Sequence, residues 1–449
     1  MSEPLHHDDL NELLDRGRDV VALARELGAD EVRVGIGRSV STGLTRRDGR
    51  IEKAEESRSL GLRVALMVDE RWSAHSTSDL RPDALRDFLR RAVDATRFLE
   101  PDPNRHLPDL EQMGSVDAAA LQLWDDSWLH RDPAERRGRL EQLEAATRAA
   151  GADLEIRSVT SFVWDGASQR AVVTSHGFES AFQTTSFGHG AMLSLVDQDG
   201  RLPESYDSSS ARHRADLRDV DTVARSAVQR GRHRLGSGPA PSGRIPMLLE
   251  NRLTGRVLGL LLAPLHGELL YEKRSCMEGK LGERVAASAL TIIDDPLIPR
   301  AAGSRPHDGD GLPSRRRVLV DQGVLQEYLV DVYNSRRLKV PVTGGSTGNI
   351  VVPPGPRDPR AILADLPRAI RVEGFLGGNS NPTTGDFSFG VSGVLLEHGE
   401  PVRNVSEMNI SGNLFELMER FTEAGNDVWT WSAWRTPSLL FDDVQFSGS

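Results

Sequence analysis

Hydrophobic residues recur at helical spacing over residues 10–27, and Gly28 ends the helix that this spacing predicts. Alternating apolar residues at 32–36 then predict a strand, with further β-structure up to residue 68. A second helix is expected over residues 82–98. The first hundred residues therefore predict the order helix, strands, helix.

The next part of the chain repeats this order. A helix predicted over residues 133–150 ends in Gly151-Ala152-Asp153, which matches Gly28-Ala29-Asp30 after the first helix. Several β-segments follow, and then a helix near residues 220–230. The repetition favours an internal duplication, although the shared tripeptide is short and leaves chance repetition open.

The remaining sequence is rich in glycine and in turn signals. Residues 235–243 form a linker by composition, and tight turns are predicted at 321–323 and 397–400. The last helix is expected to begin at Asn413 and to bury apolar residues as far as Phe421. Strands joined by such short turns predict a largely antiparallel sheet.

These patterns predict an α+β protein with two main domains. An N-terminal α/β region of mixed or antiparallel sheets with helices is expected at residues 1–236, with a possible division into units 1–108 and 109–236. A C-terminal, mostly antiparallel β domain is expected at residues 244–449. A length of 449 residues suits such a division.

Composition narrows the function and the compartment. The chain has 55 Lys and Arg against 66 Asp and Glu, a net charge of −11, which argues against nucleic-acid binding because phosphate neutralisation needs a basic face. The longest apolar stretch, 257–265, is too short to span a membrane, and the N-terminus has no signal-peptide pattern. The single cysteine, Cys276, forms no intrachain disulfide. We expect a cytoplasmic protein without nucleic-acid or membrane partners.

No strong catalytic motif is present, so the candidate residues are weighed one by one. The glycine-rich segment 344–349 lacks the lysine of a phosphate-binding loop, which favours a turn or substrate-facing loop. The pair Asp294-Asp295 is more typical of a turn than of a cation site. His266 follows an apolar helix, but Leu261 and Leu262 one turn earlier cannot bind a metal.

The most distinctive segment is 377–393. Within it, Phe387 and Phe389 alternate with small residues, which predicts a strand with one bulky face and one bare face. A bare face is explained by close packing of another sheet or by a groove that binds an extended peptide by strand addition, and the sequence leaves both open. The candidate substrate-binding residues are Asn381, Asp386, Ser388, Gly390, Ser392 and His266.

Several segments, in the right order along essentially the whole chain, together resemble the TldD/PmbA family. They include residues 48–53 (Asp-Gly-Arg-Ile-Glu-Lys), 280–288 (from Lys-Leu-Gly-Glu-Arg), 291–296 (Thr-Ile-Ile-Asp-Asp-Pro), 381–390 (Asn-Pro-Thr-Thr-Gly-Asp-Phe-Ser-Phe-Gly), 410–414 (Ile-Ser-Gly-Asn-Leu) and 436–440 (Thr-Pro-Ser-Leu-Leu).

The resemblance implies cytosolic metalloproteases that act on unfolded or extended peptides as heterodimers of two related subunits. The TldD-type subunit carries a His-Glu-x-x-x-His helix and a C-terminal cysteine for zinc. In this chain Leu261, Leu262 and His266 stand at the His, Glu and His positions, and residues 432–435 contain no cysteine. The chain therefore resembles the TldE/PmbA-type subunit, with no catalytic or metal-binding residue of its own and zinc in the partner.

We expect this chain to help form the peptide groove of such a heterodimer. A second hypothesis is a stand-alone peptide-binding or regulatory protein without hydrolytic activity, which could form a homodimer. A third is a metalloprotease with different ligands, such as His266, His307 and His398.

Overall fold

One antiparallel sheet of six strands dominates residues 31–211 in the computed structural model, which describes residues 9–448. The strands are β1 (Glu31–Arg47), β2 (Arg50–Val68), β3 (Arg71–Thr77), β4 (Ile156–Thr174), β5 (Glu179–Leu195) and β6 (Glu204–Ala211). They lie in the order β3-β2-β1-β4-β5-β6, and each neighbouring pair is antiparallel. Of the two sheet types predicted for this region, the antiparallel one is present.

Within the described residues, four long helices cover one face of this sheet: α1 (Asp9–Glu26), α2 (Pro82–Thr96), α3 (Pro133–Ala150) and α4 (Val220–Arg232). α1 and α2 bury Leu13 and Leu89 in a cluster that includes Ala171 of β4. α3 buries Leu140 in a cluster that includes Val163 of β4. Val163 and Ala171 are an even number of residues apart and so share one face of the strand, which places the helices on the same side.

The order helix, three strands, helix occurs twice, as α1-β1-β2-β3-α2 and α3-β4-β5-β6-α4. The two sets meet where β1 pairs with β4 along residues 33–47, so the predicted units 1–108 and 109–236 share one continuous sheet. This arrangement agrees with the repeated order seen in the sequence. The duplication itself and the domain boundaries stay predictions.

The C-terminal region contains the remaining strands of the described chain. They are β7 (Gly243–Leu249), β8 (Ile292–Asp294), β9 (Arg317–Asp321), β10 (Val324–Leu325), β11 (Ile350–Val351), β12 (Ala369–Ser380), β13 (Asp386–Glu397), β14 (Glu400–Asn413), β15 (Phe421–Ala424), β16 (Trp434–Arg435) and β17 (Leu439–Ser447). One sheet has the order β14-β13-β12-β7-β17-β15, and β14 also pairs with β17, which closes five strands into a ring. A second sheet has the order β10-β9-β8-β11-β16.

Five shorter helices accompany these strands between residues 243 and 448: α5 (Thr254–Leu262), α6 (Gly267–Tyr271), α7 (Val332–Leu338), α8 (Pro359–Ala364) and α9 (Leu414–Glu419). α5 is the central one, because Val257, Leu258 and Leu261 are fully buried in the same core cluster as Met247 and Phe389 of the ring. The predicted α+β class, with a β-rich C-terminal region, is confirmed. No helix of the described residues is long and apolar enough to cross a membrane.

The last predicted helix is shorter than expected. α9 begins after Asn413, whose side chain accepts a hydrogen bond from the amide of Phe415, but it ends at Glu419. Phe421, which was predicted to lie in this helix, is the first residue of β15 and pairs with Phe441 of β17. Apolar spacing alone did not distinguish the end of the helix from the start of a buried strand.

Candidate functional site

The segment 381–386 forms a turn at the start of β13, and its polar side chains form hydrogen bonds within the turn. The Asn381 side chain accepts a hydrogen bond from the amide of Thr383 (2.9 Å). The Asp386 carboxylate accepts hydrogen bonds from the Thr384 hydroxyl (2.7 Å) and from the Asn413 amide group (3.0 Å), which lower the pKa of Asp386. Asn381 and Asp386 therefore fix the shape of this turn, and both are exposed.

The bulky face of β13 is present as predicted. Phe387, Phe389 and Val391 lie in the core of the strand ring and are nearly inaccessible to solvent. Phe375 of β12 meets the Phe389 ring edge to face, with 5.5 Å between the ring centres. This face anchors β13 in the core, so a ligand can reach only the opposite face of the strand.

The opposite face is open at Ser388 and Gly390 but closed at Ser392. Ser388 is half-buried, and its hydroxyl accepts a hydrogen bond from Asn409 (3.0 Å). Gly390 faces Leu376, whose side chain is 49% exposed. The expectation of an open face at Ser392 is wrong: this residue is 7% exposed, and its hydroxyl oxygen would lie 2.7 Å from a Cβ on Gly374.

Strand addition to β13 itself is excluded, because β12 and β14 pair with both of its edges. The unpaired edge belongs to β12. This strand pairs with β7 only at residues 370–372, and within the described chain no strand pairs with the outer edge of 376–380. On this side the guanidinium of Arg256 in α5 donates to the carbonyl of Gly378 (3.2 Å). An extended peptide could therefore pair with β12 and pass beside Ser388.

Glycine is required on this edge for a conformational reason. Gly377 and Gly378 have φ of 124° and 122°, which L-residues with a side chain rarely adopt. A Cβ on Gly378 would also lie 2.2 Å from the carbonyl oxygen of Ser388. The two glycines accompany a shift in the β12–β13 register, so the edge has a fixed, bulged shape.

His266 does not lie on the helix that precedes it. α5 ends at Leu262, Pro264 falls in a short 3₁₀ turn, and His266 has an extended backbone (φ −69°, ψ 134°) before α6 begins. Leu261 and Leu262 point into the core. Burial lowers the pKa of His266, and the backbone at Gly345 opposes this with a hydrogen bond. A histidine pair on one helix cannot form here.

The other two histidines of the third hypothesis have separate surroundings. His307 packs edge to face against Phe178 and Phe182, and His398 lies in the β13–β14 turn. Among residues 9–448, no group of three or more His, Cys, Asp or Glu side chains is placed to hold a metal ion. The structure therefore does not bring His266, His307 and His398 together as a ligand set.

Three family models match successive parts of the chain: PmbA/TldA metallopeptidase domain 1 at residues 32–96, its central domain at 126–235 and its C-terminal domain at 242–448. The chain belongs to the PmbA/TldD metallopeptidase family. Together the matched stretches cover most of the sequence. They follow one another along the chain in the same order as the segments that carry the resemblance.

Relatives of this family match over nearly the full length. Metalloprotease PmbA of Escherichia coli O157:H7 is 24% identical over 440 residues and 96% of each chain. A crystal structure from Bacteroides thetaiotaomicron, described as a proposed modulator of DNA gyrase, has a TM-score of 0.92 and 31% identity over 97% of this chain and 98% of its own. TldE from Thermococcus kodakarensis has a TM-score of 0.83 and 20% identity over 96% and 100% of the two chains.

In this member of the PmbA/TldD family, neighbouring arginines hold the glycine-rich loop 344–349 in place through hydrogen bonds. Its carbonyl groups point toward arginines: Arg317 donates to Gly344 (2.9 Å) and to Ser346 (2.8 Å). Arg305 donates to Thr347 (2.7 Å). A phosphate-binding loop holds its anion through free backbone N–H groups. In this loop the N–H of Gly348 instead donates to the Asp294 carboxylate (2.6 Å).

Sequence reasoning missed a cavity of about 530 Å³ between the two halves of the chain. Arg212 follows β6, Arg300 follows β8 in the chain, and Arg435 belongs to β16; all three line the cavity. No motif links these positions, because they come from distant segments that only the tertiary fold brings together. We call this space the junction cavity.

Proposed function

We propose that this chain is the subunit without zinc of a two-chain metalloprotease that degrades or processes unfolded or extended peptides. A TldD-type homologue would carry the zinc, and this chain would help to form the peptide groove. The observation that supports the proposal most is at α5: leucines occupy the positions of the first histidine and the glutamate, and Pro264 separates them from His266.

The unpaired edge of β12 is our candidate for peptide binding by strand addition. Backbone groups at residues 376–380 would pair with the peptide, and its side chains would pass over Ser388 and Gly390. Asn381 and Asp386 would act indirectly by fixing the adjacent turn. His266 remains a candidate for the wall of the shared interior, and Ser392 is left out because it is buried.

A cytoplasmic location and the choice of partners belong to the same proposal. A single cysteine suits a reducing compartment, and the acidic net charge of −11 argues against nucleic acid as a ligand. A homodimer is an alternative assembly when the partner is absent, since related subunits offer similar surfaces.

Mixing the purified chain with a zinc-bearing TldD-type homologue is expected to yield a heterodimer that hydrolyses unfolded peptides. The chain alone is expected to contain no stoichiometric zinc and to be inactive, because it supplies too few ligands. Size-exclusion chromatography, metal analysis and a peptide cleavage assay give the three readouts. Equal cleavage by the partner alone would show that this chain is dispensable and would favour the stand-alone regulatory role.

A bulky residue at the open face is expected to block peptide binding without unfolding the chain. In Ser388→Trp, peptide affinity of the assembled pair should fall at least tenfold, because the indole would cover the path beside β12. Ser388→Ala is the matched control, which loses only the Asn409 hydrogen bond, worth about 1 kcal/mol. Peptide titration and thermal melting test this, and a melting temperature that falls in step with affinity would contradict it.

A further inference from the structure

The junction cavity lies where Ser186, in the middle of β5, and the end of β6 face two segments of the C-terminal region, 299–302 and 430–435. Its volume of about 530 Å³ falls within the range of roughly 300–1,000 Å³ that is typical of ligand pockets. Ala211, Ala301 and Trp431 provide apolar wall, and Ser210 provides a hydroxyl group. A ligand with both an apolar part and a polar group would suit these walls.

The charges of the cavity do not balance. Arg212, Arg300, Arg435 and Asp216 line it, which leaves a formal charge of +2. Arg300 lies 3.5 Å from the Asp216 carboxylate and donates to the Gln122 side chain (2.7 Å). Arg212 and Arg435 form no ion pair with any residue of the described chain. Two guanidinium groups therefore face the cavity without a counter-ion.

The hydrogen bonds of these two arginines are few and go to backbone carbonyls. Arg212 donates to Thr185 (3.4 Å) and Ala302 (2.9 Å), while its buried Nε has no partner in the described chain. Arg435 donates to Thr430 (2.8 Å). Each guanidinium has five N–H donors. Beyond these contacts, both residues keep N–H groups on their terminal nitrogens for a ligand.

Arg212 and Arg435 are half-buried, and several other arginines with little exposed surface differ from them in being paired with a carboxylate. Arg317 binds Asp294, and Arg252 binds Asp207. Burial lowers the pKa of Arg212 and of Arg435, and no carboxylate opposes this at either residue; Arg170 adds repulsion at Arg212. An uncompensated buried charge is costly, so a bound anion would stabilise this arrangement.

The first turn of α5 connects the cavity to the unpaired edge of β12. Trp434, next to Arg435, packs so closely on Gly255 that a Cβ there would lie 2.7 Å from the indole. The following residue, Arg256, donates to the carbonyl of Gly378 on the edge. A peptide on the edge and a group in the cavity would therefore lie on either side of the same turn.

We propose that the junction cavity binds a carboxylate group of the peptide substrate through Arg212 and Arg435. This inference rests on the proposed function and adds a specificity site to it. A planar guanidinium binds a carboxylate through two parallel hydrogen bonds, and the apolar wall accepts the attached chain. The carboxylate is the C-terminus of the peptide or an aspartate or glutamate side chain, and the two sources are separable by experiment.

The test compares matched peptides on the assembled two-chain protein. One pair has a free C-terminal carboxylate or a C-terminal amide; the other is amidated and contains either aspartate or asparagine. At least one carboxylate peptide is expected to bind ten times more tightly than its neutral match, measured by titration calorimetry. A preference within the first pair identifies the peptide C-terminus as the source of the carboxylate. A preference within the second pair identifies the aspartate side chain as the source.

Arg435→Gln and Arg212→Gln are each expected to abolish this preference while leaving the affinity for the neutral peptides unchanged. Arg435→Lys should restore part of it, because the charge returns without the bidentate geometry. Arg284→Gln is the control, since Arg284 is exposed and does not line the cavity. A purely structural role would instead lower the melting temperature and weaken both members of a pair equally.

Two results would overturn the inference. Equal affinity of charged and neutral peptides in both pairs would exclude a carboxylate site, even with an active heterodimer. Displacement of the carboxylate peptide by equimolar inorganic phosphate, with no preference within either pair, would assign the arginines to a phosphate ligand. Failure of the proposed function is a different outcome, because the two chains would then form no complex or hydrolyse no peptide.

Discussion

Replacing Arg317 with methionine is expected to lower the free energy of unfolding by about 3–5 kcal/mol, the cost of leaving a buried charge without its partner. The Arg317 side chain is 4% exposed, and its Nε donates to Asp294 (3.0 Å), which is 2% exposed. The same guanidinium donates to the carbonyls of Thr343 (2.6 Å), Gly344 and Ser346. Methionine would leave the Asp294 carboxylate and three carbonyls without these donors.

Arg316→Met is the matched control for this prediction. Its side chain is 54% exposed and lies 3.7 Å from Asp295, so its removal should cost no more than about 1 kcal/mol. The double variant Asp294→Leu with Arg317→Met should be more stable than Arg317→Met alone, because the buried Asp294 carboxylate is no longer left without its arginine. Urea denaturation followed by tryptophan fluorescence measures both. Equal midpoints for Arg316→Met and Arg317→Met would contradict the assigned role.

Local signals in the sequence predicted much of the fold. α3 occupies Pro133–Ala150, the predicted range, because Asp132 caps its first turn and proline starts it. The turn predicted at 397–400 joins β13 to β14, where His398 and Gly399 have positive φ. These features depend on residues close in sequence, so composition and spacing are sufficient to find them.

Features that depend on distant residues were not predictable in the same way. The bare face of β13 was visible, but the sequence did not reveal that β12 and β14 occupy both of its edges. Ser392 was placed on an open face, although it is buried and its hydroxyl lies over Gly374 of the neighbouring strand. The sequence did not reveal that Arg212 and Arg435 lack ion pairs, because pairing depends on where the fold places the carboxylates.

The candidate site likewise combines features set by neighbouring residues with features set by distant ones. Residue identity at 261, 262 and 266 predicted the loss of a zinc-binding helix, and Pro264 gives the physical reason that His266 leaves it. The binding edge on β12 required sheet topology, since an unpaired strand edge is a property of neighbours rather than of sequence. The resemblance to the family pointed to this region, and the strand pairing led us to propose β12 rather than β13 as the peptide-binding edge.

Acidification from pH 6.5 to pH 4 is expected to cost the chain about 3 kcal/mol of stability through His189 alone. This histidine of β5 is fully buried, and burial, with repulsion from Arg139 and Arg218, lowers its pKa to about 4. The unfolded chain binds a proton near the ordinary value of 6.5, whereas the folded chain does not until about pH 4. Protons therefore favour unfolding within this window, and the full stability is present above it.

His189→Leu should reduce this pH dependence, because leucine fills the buried position and does not titrate. The described contacts of the His189 ring are a 3.4 Å contact of Nδ1 with Arg139 and an interaction with the Arg218 backbone, so little hydrogen bonding is lost. The comparison is the loss of unfolding free energy between pH 7 and pH 4 in both proteins. Carboxylates contribute equally to both, so the difference isolates the imidazole. Parallel pH profiles would show that the folded chain binds this proton with a pKa near the ordinary value of 6.5, contrary to the lowered pKa of the buried imidazole.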